Sequence, residues 1–201
     1  MIVIIDYGVG NLGSVHNMLR KCGVKSKISN SKDDIINAEK FILPGVGHFS
    51  VGMNKLMESG ILTILEDQVL NKGKPILGIC LGMQMLAKNS QEGNVQGLGW
   101  IDAEVKRFPD LDDLVIPHMG WNNIQVLNNK YYSNLENSDF YFIHSYHVKT
   151  TNDQDIAATV NYGFDVVASV QKDNIFATQF HPEKSQAAGL SLLKTFFDLN
   201  A

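Results

Sequence analysis

Apolar positions in the first half of the chain fall into short unbroken runs, separated by stretches in which they recur at helical spacing. Ile2 to Asp6 reads as a buried parallel strand, apolar until a polar residue closes it. Leu12, Val15, Leu19 and Cys22 then follow a helical period that Gly23 ends. Val24 to Ser29 alternates as a second strand, and Ser31 to Lys40 reads as a short helix capped by Ser31. Phe41 to Leu43 is a third strand that stops at Pro44-Gly45. Met53 to Asn71 is helical, interrupted at Gly60 and closed by Gly73. Pro75 to Ile79 is a fourth buried strand, with helical spacing again from Met83. Strand and helix in alternation predict a parallel sheet covered on both faces.

The pattern changes after about residue 100. Ile101–Phe108, Asn123–Leu127, Phe140–Val148, Ile156–Asn161, Asp165–Val170 and Ile175–Phe180 all read as strands, and Lys172-Asp173-Asn174 is a hairpin turn. A last amphipathic helix spans Gln186 to Leu199, with Leu190, Leu193, Phe196 and Phe197 on one face. The expected fold is α/β: an open, mostly parallel sheet flanked by helices, with an additional antiparallel β region in the C-terminal half. No repeat or linker interrupts it, so residues 1–201 are expected to form a single domain.

Composition narrows the function classes. The 201 residues are 44% hydrophobic and 19% charged, ordinary for a globular chain. A net charge of -4 argues against a mainly electrostatic nucleic-acid binder. No apolar run approaches the ~20 residues of a membrane span, and the start has no basic n-region of a signal peptide. Two isolated cysteines, Cys22 and Cys80, are too few for a disulfide scaffold or a zinc site. A reducing, cytoplasmic setting is the expectation.

One of those cysteines carries a chemical signal. Gly78-Ile79-Cys80-Leu81-Gly82 lies between a buried strand and a helix, as a cysteine version of the G-x-S-x-G nucleophile elbow. Its glycines permit a sharp turn with close backbone approach. The turn lifts the thiol above the carboxyl edge of the sheet and leaves the Leu81 N–H suited to an oxyanion. Cys22, at a helix C-terminus with no glycine frame, reads as structural. A thiol nucleophile needs a base and the base an orienting group. Of six histidines, His181 follows a strand and precedes Pro182-Glu183. Residues two apart on an extended chain project to one side, and Pro182 favours extension before it. Cys80, His181 and Glu183 are therefore the candidate triad.

Two further glycine-rich turns lie at the same edge. Gly8-Val9-Gly10-Asn11-Leu12-Gly13 matches G-x-G-x-x-G after a strand and before a helix, the context of a dinucleotide-binding fingerprint. Against that reading, Asp6-Tyr7 separates strand from glycine, and no acidic residue ends the second strand. Pro44-Gly45-Val46-Gly47 could supply a second oxyanion donor or a substrate wall, or be a plain turn.

Taken together, these motifs resemble the triad-type (class I) glutamine amidotransferases over nearly the whole chain. The marks are Tyr7-Gly8-Val9-Gly10-Asn11, Pro44–Gly47, Gly78–Gln84, Pro117–Asn122, His144-Ser145-Tyr146 and Gln179–Ser185. Within that family the chain is most similar to the branch of glutaminase subunits serving imidazole glycerol phosphate synthase, in histidine biosynthesis. The resemblance implies that Cys80 attacks the glutamine amide, with His181 as acid and base and Glu183 orienting it. It implies an oxyanion hole from Leu81 with Val46 or Gly47, and glutamine contacts at Gly47, Gln84, Ser145 and Tyr146. It further implies a cyclase partner on a (β/α)8 barrel, faced by Met119, Trp121 and Asn122, receiving channelled ammonia without any cofactor or metal. A sister branch, similar in sequence, supplies ammonia for acetamidino sugars of surface polysaccharides.

Overall fold

The computed structural model describes residues 1–112, 114–128 and 130–199. Four short strands open the chain: β1 (Ile2–Ile5), β2 (Ser26–Ser29), β3 (Lys40–Gly45) and β4 (Ile76–Cys80). Between them lie helices α1 (Leu12–Lys21), α2 (Lys32–Asn37), α3 (Phe49–Glu58) and α4 (Leu62–Glu66), and α5 (Leu81–Met85) follows β4 directly. A π-type turn, Asp67–Asn71, extends α4. The second half supplies β5 (Asn89–Ser90), β6 (Val95–Gln96), β7 (Ala103–Arg107), β8 (His118–Val126), β9 (Asp139–His144), β10 (Tyr146–Thr150), β11 (Ile156–Asn161), β12 (Asp165–Lys172) and β13 (Ile175–Thr178), then α6 (Gln186–Asp198).

Among the described residues the main sheet has nine strands in the order β2-β1-β3-β4-β13-β12-β11-β8-β9. Pairing is parallel from β2 to β13 and antiparallel beyond it. β13 is the joint: it lies parallel to β4 on one side and antiparallel to β12 on the other, which brings the last strand of the chain beside the cysteine strand. A second sheet, β10-β7-β5-β6, packs alongside. Period-two alternation along β1 sends Val3 and Ile5 into one core with Phe41, Phe49 and Leu56, and Ile2 and Ile4 into another with Val15, Leu19 and Phe196. The sheet is thus buried on both faces, as its unbroken apolar strands require.

Several boundaries differ from expectation for physical reasons. β3 does not stop at Leu43: Pro44 pairs with Ile79 and Gly45 with Cys80. Proline is tolerated because β1 pairs only as far as Ile42, and the Tyr7 hydroxyl donates to the Pro44 carbonyl at 2.8 Å. Helix α3 begins at Phe49, four residues earlier than the apolar pattern suggests, with the His48 side chain accepting from the Ser50 N–H. Ser31 holds the cap position of α2 without a side-chain cap; the Ser29 hydroxyl accepts from the Ser31 N–H instead. The apolar run Phe140–Val148 is two strands in two sheets, parted at Ser145. On α6 the buried face is Leu192, Leu193 and Phe196, while Leu190 and Phe197 are half-buried. The tiny strands β5 and β6 carry no alternation long enough to read.

Candidate active site

The bend after β4 is built by backbone contact. A Cβ on Gly82 would fall 1.8 Å from the Leu43 carbonyl oxygen, and one on Gly78 would meet the Gly82 and Met83 backbone at 3.0 Å. Gly45 is as confined, with the Tyr7 hydroxyl 2.7 Å from its would-be Cβ. Gly82 and Gly45 leave no room for a side chain, and at Gly78 one would be tight against backbone. Cys80 itself is strained, at φ 54° and ψ -108°. Strict strand alternation would put its side chain with Ile76; the bend instead packs Cys80 with the cluster of Leu77 and Ile79. Helix α5 is only five residues long, so what it offers the thiol is a first turn of free N–H groups, Leu81 first, more than a long dipole.

Across the cleft His181 is pinned by its backbone: its N–H donates to the Tyr141 carbonyl at 2.9 Å, and its carbonyl accepts from the Ser185 hydroxyl at 2.6 Å. His181 is extended, as the residue before a proline should be, but Pro182–Lys184 is a 3₁₀ turn. The turn, not an extended chain, brings Glu183 back to the ring, where Oε1 lies 2.7 Å from Nδ1. Both side chains are 2% exposed. Nε2, the other ring nitrogen, has no hydrogen-bond partner among the described residues. It faces a cleft of about 390 Å³ lined also by Cys80, Leu81, Val46 and Gly47. Burial alone would push the His181 pKa down; the Cys80 sulfur and the Glu183 carboxylate outweigh it and raise the value to about 9. The Cys80 sulfur thus acts on the imidazole across the cleft by hydrogen bonding as well as by charge.

The structure gathers the remaining expected cleft residues as well. Gly47, Gln84, Ser145 and Tyr146 line the same cavity. Gly47 takes φ 93°, a conformation that disfavours any side chain. Gln84 donates its amide nitrogen to the Tyr146 carbonyl and to Gln179 Oε1, both at 3.0 Å. Expected together on the partner side, Met119, Trp121 and Asn122 are parted by strand alternation. Met119 and Trp121 are 58% and 48% exposed. Asn122 turns to the other face, where it donates to the Asn161 carbonyl and His118 Nε2.

Some residues at the cleft escaped the sequence reading. Gln179, fully buried, places its amide nitrogen 3.8 Å from the Cys80 sulfur. Glu92 lines the cavity and accepts the Phe49 N–H at 2.8 Å. Gln179 sits directly in the motif around His181 and could have been noticed there; Glu92 lies in an irregular loop with no local signal.

The dinucleotide reading of Gly8–Gly13 fails on the same kind of evidence. A fingerprint's third glycine permits close helix–strand packing, yet nothing lies within 4 Å of a Cβ on Gly13. The second strand ends in Ser29-Asn30, and Asp34 is taken by Lys27 and Ser29. The loop serves the cleft instead: Asp6 accepts the Gly8 N–H at 3.1 Å, and Tyr7 holds Pro44.

Residues 3–199 match the family model of class-I glutamine amidotransferases. The chain belongs to the class-I glutamine amidotransferases. This amidotransferase is 50% identical to "Imidazole glycerol phosphate synthase subunit HisH 2" of Pseudomonas aeruginosa, covering 99% of this chain and 100% of that protein. It is 49% identical to "Imidazole glycerol phosphate synthase subunit HisH 1" of Campylobacter jejuni, covering 99% and 100% respectively. A crystal structure titled as that of a glutamine amidotransferase shares its fold, with a TM-score of 0.78 at 21% identity over 98% of each chain. Among the described residues no helix is long and apolar enough to cross a membrane.

Proposed function

We propose that this chain, acting as one domain, is the glutaminase subunit of imidazole glycerol phosphate synthase. It hydrolyses L-glutamine and passes the ammonia to a cyclase subunit on a (β/α)8 barrel that makes imidazole glycerol phosphate. The observation that carries the reading is a strained thiol at a glycine-built bend, sharing one cleft with a carboxylate-paired imidazole. Cys80 Sγ, having given its proton to His181, attacks the side-chain amide carbon. The oxyanion is met by the Leu81 N–H and the backbone of Val46 or Gly47. His181 then gives its proton to the departing nitrogen, leaving a glutamyl thioester and ammonia. A water activated by His181 attacks the thioester; glutamate leaves and the thiol is restored. The high proton affinity of His181 suits it to hold the proton until ammonia departs.

Glu92 offers a negative charge to the substrate's ammonium, and Gly47, Gln84, Ser145 and Tyr146 form the remaining walls. Met119 and Trp121, exposed side by side on one face of β8, support a partner surface there, with Asn122 contributing from beneath. Both cysteines are free thiols, which supports a reducing, cytoplasmic setting. Cys80→Ala is expected to abolish glutamine-dependent synthesis while ammonium salts still sustain the partner. Wild-type glutamine hydrolysis by that variant would sink the reading.

The resemblance to the sister branch supports one second reading, in which the chain feeds another acceptor, such as an acetamidino-sugar enzyme. Co-purification with each barrel, followed by rescue of a histidine auxotroph, separates the two. Rescue assigns the histidine-pathway cyclase; failure alongside activity with the sugar enzyme assigns the other.

A further inference from the structure

Two histidines outside the triad are buried beside the cleft with their hydrogen bonds joined in series. His144 ends β9 and His118 opens β8, and the antiparallel register sets them opposite one another. His144 Nδ1 lies 2.8 Å from the Tyr146 carbonyl oxygen. A carbonyl can only accept, so Nδ1 must carry a proton. His144 is 6% exposed, and burial lowers its pKa to about 3, so the ring is neutral and Nε2 is left as an acceptor. His118 Nδ1, 3.0 Å from that Nε2, must then be the donor. Burial lowers the His118 pKa to about 4, so its own Nε2 is an acceptor too, and Asn122 Nδ2 lies 3.4 Å from it. Every link runs in one direction, from Asn122 through both rings to Tyr146. His118 is held flat between Phe142 and Tyr162, with ring centroids at 4.6 and 3.9 Å.

The chain's end point matters. At Ser145 the backbone leaves the large sheet for the small one, and this turn forms a wall of the cleft. The Tyr146 carbonyl accepts from both His144 and Gln84, and the Ser145 carbonyl accepts from the Phe108 N–H at 3.2 Å.

We propose that His144 is a positioning residue that fixes the Ser145–Tyr146 wall for glutamine, and that His118 sets the tautomer that lets it do so. The inference rests on reading the cleft as the glutamine site. It adds that the wall is tied through two uncharged rings to β8, whose opposite face exposes Met119 and Trp121.

Long-range ¹H–¹⁵N correlation spectra of the intact wild-type chain at neutral pH test the wiring without any activity. The expected result is that both rings carry their proton on Nδ1, the tautomer that free histidine disfavours. A proton on His144 Nε2, or a charged ring, overturns the proposal. Steady-state glutaminase assays with the cyclase partner test the role. His118→Phe keeps the stacked shape but loses the donor, and should raise KM for glutamine about ten-fold, the equivalent of one hydrogen bond, with a smaller change in kcat. His118→Asn, whose amide nitrogen can stand where Nδ1 does, should recover most of that loss. An unchanged KM in His118→Phe, or an Asn variant as poor as the Phe variant, refutes the positioning role. Absence of glutamine hydrolysis by the wild-type complex would instead defeat the reading of the site, and the spectra would still decide the tautomers.

Discussion

Two glycine-rich bends leave the carboxyl edge of the sheet, one after β1 and one after β4, and their sequences look almost equally functional. Their surroundings are opposite. In the first bend a methyl group on Gly8 or Gly13 would meet open space or a lysine tail. In the second a methyl group on Gly78 or Gly82 would strike backbone. The first bend is a brace: Tyr7 and Gly10 lie against the Pro44 end of β3. The second is the elbow that puts a thiol into a cleft. A glycine motif therefore acquires meaning from what stands behind each glycine, which no local string records.

Substitution at the two bends should separate them most sharply. Gly82→Ala forces a Cβ onto the Leu43 carbonyl, and should cost at least about 4 kcal/mol or leave the protein insoluble, as denaturant unfolding would report. A variant folding within about 1 kcal/mol of wild type would mean that the elbow can relax. A smaller effect is expected on the opposite wall. The His181 pKa is raised, so its stabilisation is complete below the unfolded value near 6.5 and is lost as pH rises through about 9. Unfolding free energy should thus decline by roughly 1–3 kcal/mol across that window. Glu183→Gln should flatten this decline and depress glutamine turnover; an unaltered pH profile would separate the carboxylate from the ring. Tyr7→Phe should cost about 1–3 kcal/mol by orphaning the buried Pro44 carbonyl, measurable as a lowered denaturant midpoint. Gly13→Ala, in an open helical position, should stabilise by about 0.5–1 kcal/mol and leave turnover unchanged. Loss of activity there would return the first bend to the list of binding sites.

The two cysteines repeat the lesson at the level of single atoms. Burial raises the Cys22 pKa, and its thiol lies 3.7 Å from the Leu190 carbonyl in the contact between α1 and α6. Cys80 opens on the cleft. The glycine frame around Cys80 and the proline after His181 made this difference legible in advance, because both are backbone requirements written at fixed offsets. The adjacency of His181 and Glu183 was legible too, although its cause is a 3₁₀ turn and not an extended chain. Glu92 and the His118–His144 pair were not legible, since each meets its neighbour only through the pairing of distant segments.

Local sequence settled the strand–helix alternation, the glycine elbow and the nearness of Glu183 to His181, because apolar period, glycine necessity and proline stiffness act within a few residues. Tertiary structure alone decided that β13 returns beside β4, that Pro44-Gly45 pairs up to Cys80, and that Asn122 turns away from Met119 and Trp121. It also decided that proton affinity rises at His181 and falls at His118 and His144, since it depends on burial and on partners far away along the chain. Local rules choose the parts; desolvation and long-range pairing choose what those parts face.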